Sequence, residues 1–161
     1  LLRESFFAAA DLDARQTWKL LDWCQARGAD EFTLRMLGLE GRDTPHNDKV
    51  ESELQPFALP AAVREHPIVY AGEDSPRLTP LWRLTPDSIR VLRIRYTDGL
   101  FTYPVGEWEV GCIEDPVVYR NGEILLGIVT HEREGLLRLT DAEQAEVAAM
   151  GIPTRSRPEW I

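Results

Sequence analysis

Only three histidines occur in this chain, His46, His66 and His131. His131 has the neighbours that acid–base chemistry would use, because Glu132, Arg133 and Glu134 follow it directly. An imidazole beside carboxylates can relay protons near neutral pH or help hold a divalent cation. The catalytic candidates are therefore His131, Glu132 and Glu134. Neighbours along a strand point to opposite faces, so Glu132 and Glu134 would share one side and His131 and Arg133 the other. In a chain with 27 acidic side chains, a carboxylate next to a histidine carries little information by itself. The sequence specifies no metal site, since the histidines and cysteines are not paired at the close spacing that zinc prefers.

Other catalytic chemistry has weaker support. No G-x-S-x-G elbow surrounds any serine. Cys24 and Cys112 stand on expected inward positions of a helix and a strand, as core thiols do. Acidic neighbours of Cys112 would oppose the thiolate a nucleophile needs. No glycine-rich phosphate loop is present, so no nucleotide or other cofactor is expected.

Two charged surfaces are more suggestive. Arg90, Arg93 and Arg95 accompany Arg83, Trp82 and Tyr96, and arginines with aromatics on a sheet can grip single-stranded nucleic acid. Against this, residues 104–150 carry ten acidic and three basic side chains, and the whole chain has a net charge of −9. That field opposes a polyanion. Nucleic acid is thus an unlikely partner, and cross-strand pairs with Glu107 and Glu109 are the simpler role for the arginines. Glu107, Glu109, Glu114, Asp115, Glu123, Glu132 and Glu134 would form an acidic face if they converged. Such a face speeds and selects association with a basic protein.

The elements that would position these groups follow from capping and periodicity. Asp11 or Asp13 can cap a helix ending at Gly28, with Trp18 and Leu21 inward. The first ten residues read as the opening turns of a helix, and Glu31–Leu39 as strand or helix. Arg42–Lys49 reads as a polar loop, and Val50–Leu59 as a short strand or helix. Ser88–Tyr96 reads as the clearest strand, its alternation broken once and restored by a bulge. Asp98-Gly99 then predicts a hairpin to Leu100–Tyr103. Glu107–Glu114, Val117–Arg120, Glu123–His131 and Glu134–Leu139 continue the sheet, with Asn121-Gly122 as a second hairpin turn. Ile124–Val129 is apolar on both parities, as a central strand covered on both faces would be. Thr140 and Glu143 form a capping box for a last helix ending at Gly151. Arg77-Leu78-Thr79-Pro80 recurs as Arg83-Leu84-Thr85-Pro86, which reads as repeated capping chemistry rather than a structural repeat. The terminal Trp160 is expected to pack back onto the body.

The expected fold is α+β: N-terminal helix or helices, a mostly antiparallel meander of roughly four to six strands, and a C-terminal helix packed on the sheet. One domain is expected, with a helical part over 1–41, a proline-rich middle over 42–87, the meander and helix over 88–150, and a tail over 151–161. No segment approaches the ~20 apolar residues of a membrane span, so a cytoplasmic location is the default. Secretion stays open because the chain does not begin with Met. The leading functional expectation is a non-catalytic acidic module that binds a basic partner protein, immunity- or adaptor-like by size and charge alone. The alternatives are a small-molecule or hydrolytic site at His131, and nucleic-acid binding through the arginines. A homodimer through exposed strand edges is also conceivable.

Overall fold

Four helices line one side of an all-antiparallel sheet in this computed structural model, which describes residues 1–37, 45–68, 77–103 and 112–157. The strands are β1 (Arg3–Ala8), β2 (Glu31–Leu37), β3 (Ala58–Glu65), β4 (Leu78–Arg83), β5 (Cys112–Arg120), β6 (Glu123–Val129) and β7 (Glu134–Leu139). The helices are α1 (Ala14–Ala26), α2 (Pro45–Leu54), α3 (Pro86–Arg95) and α4 (Asp141–Ala149). The α+β class is as expected, but the sheet is wider than anticipated. Among the described residues seven strands run in the order β1-β7-β6-β5-β2-β4-β3. Arg155 adds one bridge outside β1, at Phe6.

Capping explains several helix boundaries. Asp13 and Gln16 satisfy each other's backbone donors at the start of α1, and Gly28, at φ +85°, turns the chain away beyond its end. Thr140 and Glu143 do the same for α4. The β5–β6–β7 meander also forms, with Asn121 and Gly122 both at positive φ in its first turn.

The reading of Ser88–Tyr96 as a strand is overturned. Those residues belong to α3 and its C-cap; Thr85 caps the helix, Pro86 opens it, and Ile89, Leu92 and Tyr96 form its buried stripe. The break in alternation was the helical period. Asp98-Gly99 accordingly makes no hairpin. Gly99, at φ +110°, follows α3, and Leu100 and Phe101 are buried core residues outside any strand.

Three other readings change. The first residues form β1 rather than a helix, because Phe7 packs across β7. A Cβ on Gly135 would run into the Phe7 ring, so this crossing requires glycine there. Residues 45–49 of the supposed polar loop open α2. Thr85 and Thr140 are helix caps, whereas Thr79 is a buried strand residue, so the short sequence echo covers two unlike structures. Residues 38–44, 69–76, 104–111 and 158–161 lie outside the described residues, and with them Glu107, Glu109 and Trp160.

The helix side holds the main core. Phe32, Leu34, Trp82, Val118, Leu126, Ile128 and Leu137 meet Trp18, Leu21, Leu54, Ile89, Leu92 and Val147. The opposite face holds a small second core of Leu81, Val117 and Tyr119, with Leu59, Ala62, Ile68 and Ile124 against it. No helix among the described residues covers that side; the sheet's own edge does. In a flat sheet β3 would lie three spacings of about 4.8 Å from β5. Yet the Arg64 guanidinium of β3 stands 4.4 Å from the Tyr119 ring and donates to the Gly122 carbonyl at 2.7 Å. The bend is in the register. Ala58 pairs with Trp82 and Val63 with Pro80, so β3 carries extra residues around Pro60 that turn it back over the sheet.

Candidate functional site

β2 alternates between the two faces. Phe32 and Leu34 enter the main core, so Thr33 and Arg35 point to the curled side. Opposite them β5 makes a bulge. Its register to β2 shifts between Thr33 and Arg35, and Asp115 there adopts φ +50°, a conformation aspartate tolerates better than most residues. A segment expected to break between Glu114 and Val117 is therefore one continuous strand with a kink.

The kink gathers buried polar groups. Asp115 is fully buried; its carboxylate accepts the Thr130 backbone N–H at 2.8 Å, and the Thr130 hydroxyl accepts the Asp115 N–H at 2.9 Å. Arg35, 4% exposed, places Nη1 3.6 Å from Asp115 Oδ2. The Asp115 carbonyl lies 2.9 Å from His66 Nε2, and the Ile68 N–H donates to His66 Nδ1 at 3.2 Å. That pair of contacts selects the neutral tautomer with hydrogen on Nε2. Burial pushes the His66 pKa below the ordinary imidazole value, against the backbone carbonyls of Asp115 and Ile68 that pull it up. Glu114 is also buried and accepts from the Tyr103 hydroxyl.

Beside this cluster the sheet opens. β2 and β4 pair only at Glu31–Arg83 and Phe32–Trp82. Pairing stops where Pro80 has no N–H to offer. The Thr33 hydroxyl instead donates to the Pro80 carbonyl at 2.9 Å and lies 2.7 Å from the Thr79 hydroxyl. Beyond that point a cleft of about 230 Å3 separates the strands. Leu34, Met36 and Trp82 line it toward the helices, with Glu51 of α2; Arg35, Thr79 and Arg77 line it toward the curled face. The volume is below the ~300–1,000 Å3 that drug-sized ligands occupy.

The structure separates most of the sequence-predicted site residues. His131 and Glu132 form an exposed pair, 2.9 Å apart, on the turn after β6 rather than on a strand. Glu134 is buried and accepts two hydrogen bonds from Arg155, at 2.6 Å each, which fastens the C-terminal segment to β7. His131, Glu132 and Glu134 therefore do not converge on a pocket. The acidic face is corrected likewise: Glu114, Asp115 and Glu134 are interior, leaving Glu123 and Glu132 as its exposed members among the described residues. The arginine stripe is split. Arg93 reaches Asp22 of α1 at 2.9 Å and Arg95 reaches Glu53 of α2, on opposite sides of α3, while Arg90 pairs with Asp87 of its own helix. Arg95 holds the Glu53 carboxyl below its usual range through that hydrogen bond. These arginines fasten helices together instead of lining a nucleic-acid groove.

The remaining candidates are structural. Cys24 is a buried free thiol whose pKa burial raises far above the ordinary value. No group of three metal-ligating side chains gathers among the described residues, and no helix there is long and apolar enough to cross a membrane. Sequence reasoning did not single out Arg35, His66, Thr79 or Arg77 as a site. Charged or polar residues at inward strand positions were the available signal.

No family model matches the chain, and no curated protein or solved structure matches it.

Proposed function

We propose that this chain acts by binding another protein, without catalysis, and that the cleft between β2 and β4 is where it does so. The observation that carries this reading is the opening inside the sheet. Strand edges normally stay paired or protected, because unpaired backbone groups invite another chain. Here no strand among the described residues pairs with β2 on its β4 side beyond Phe32. The surroundings support binding over turnover: the acid–base pair His131–Glu132 sits on an open turn, while His66 and Cys24 are walled in. The partner chemistry differs from the basic protein first expected, because three of the acids meant to attract it are interior.

The test compares two variants of the full chain. Arg77→Glu with Leu78→Asp changes the cleft mouth; Arg138→Glu changes the β7 surface. Capture from host lysate is expected to yield a stoichiometric partner with the parent and with Arg138→Glu, and to lose it with the cleft variant. A partner retained by the cleft variant overturns the site. A substrate turned over by the parent and not by His131→Ala overturns the non-catalytic reading.

A further inference from the structure

We infer that the edge of β1, with Glu134 of β7 beside it, is a peptide-binding site that residues 152–155 occupy in cis. The ligand it takes in trans is an extended segment with a long apolar side chain three positions before an arginine. β1 and β3 stand at opposite ends of the strand order, so this site is separate from the β2–β4 cleft and independent of the binding reading above.

The seated segment displays the chemistry. Gly151, at φ +80°, turns the chain out of α4, and Ile152 then enters the main core fully buried. Three positions on, Arg155 pairs with Phe6 of β1 as an antiparallel strand would: each backbone N–H donates to the other's carbonyl at 2.8 Å. Adding an extended segment to a strand edge is a recurrent mode of peptide recognition, in which the backbone supplies affinity and side-chain seats supply specificity. Two seats are present here. The partly exposed Arg155 guanidinium reaches both carboxylate oxygens of Glu134, which is 4% exposed. Burying a carboxylate is costly unless charge-assisted hydrogen bonds meet it, which selects a cation at this position, and arginine holds such a pair with defined geometry.

The apolar seat is underfilled. A hollow of about 90 Å3 remains beside Ile152, bordered by Phe7, Ala8, Leu12 and Pro153, with Asp11 and Gln16 as its polar neighbours. Unfilled apolar space forfeits dispersion contacts. A longer, adaptable side chain such as methionine would gain contacts there that isoleucine does not make. The tether gives the resident segment an effective concentration of millimolar order, so a competing peptide binds well only once the resident anchors are removed.

The experiment uses the full chain, both as the parent and with Ile152→Ala plus Arg155→Ala, which removes both resident anchors. The probe is a labelled, capped peptide of residues 151–157, Gly-Ile-Pro-Thr-Arg-Ser-Arg, read by fluorescence anisotropy. The double variant is expected to bind it at least about 10-fold tighter than the parent does. Within the peptide, Ile152→Met should tighten binding and Arg155→Ala should abolish it. No binding to the double variant, equal affinity for the two chains, or no loss with the Arg155→Ala peptide would overturn the site. No gain with the Ile152→Met peptide would overturn the apolar preference. Hydrogen exchange in the parent measures release without a destabilised variant. The Phe6 and Arg155 amides should exchange together, at least about 10-fold faster than those of Leu126 and Leu137. One common rate for all four would mean that the segment leaves only on global unfolding, and would overturn its exchange with a partner.

Discussion

On the helix side of the sheet a large apolar cluster forms the core, with charged pairs at its margin; on the curled side a small apolar cluster adjoins Arg35, Asp115, His66, Thr33 and Thr79. The same strands serve both faces, residue by residue. The helix side is held by area and tolerates imprecise geometry, because burial is non-directional. The curled side is held by directional bonds between groups that are costly to bury unpaired. The difference teaches that non-directional and directional contacts have been placed on opposite faces of one sheet.

Asp115→Ala should break this contrast most severely. It removes the acceptor of the Thr130 N–H and the carboxylate 3.6 Å from the buried Arg35 guanidinium, with a loss of about 4 kcal/mol in chemical denaturation. Asp115→Asn should lose less, since the amide oxygen can still accept and asparagine tolerates positive φ. Replacing the pair together, Arg35→Met with Asp115→Asn, should recover part of the loss and make the curled face resemble the other.

Gly135→Ala probes the helix side, and should cost about 3 kcal/mol because the Phe7 ring occupies the methyl's position. Phe7→Leu in the same chain should return part of that loss, and a double-mutant cycle measures the coupling.

The third effect is a pH dependence confined to the curled face. Burial disfavours the charged form of His66 and lowers its pKa in the fold, whereas the unfolded chain protonates near the ordinary value of about 6.5. Below that value the unfolded state binds the extra proton, so stability falls as pH drops. Asp115, Arg35 and Glu114 surround the same region. Denaturation of the parent and of His66→Gln across pH 8 to 5 is expected to show a difference that shrinks toward acid; a constant difference would contradict it.

Arg93→Ala is the smallest. Its exposed pair with Asp22, and its position 5.7 Å from the Trp18 ring, should together contribute about 1 kcal/mol, reduced further by salt. A much larger loss would mean that the helix layer depends on its charged clamps as the curled face depends on Asp115.

Much of the local structure was legible because it depends on neighbours in sequence. The caps of α1 and α4, the Asn121-Gly122 turn and the covered strand β6 follow from capping chemistry, positive φ and apolar parity. The α3 segment reads as a strand in sequence even though Thr85 before Pro86 offers a helix cap. Its isoleucines and valine resemble a strand, and only packing between α1 and α2 shows which period is real. The candidate site was not legible at all. Arg35 and Asp115 are far apart in sequence and meet only because a bulge shifts the β2–β5 register.

What the sequence determined by itself is therefore an α+β chain with definite helix caps, one hairpin turn and a net charge of −9. Only the tertiary structure decided which carboxylates are interior, that the far edge of the sheet curls back over β5, and that β2 and β4 part beyond Phe32. The physical reason is range. Caps and turns are settled by hydrogen bonds within a few residues, whereas burial, register and curl are settled by contacts between strands that any number of local patterns would allow.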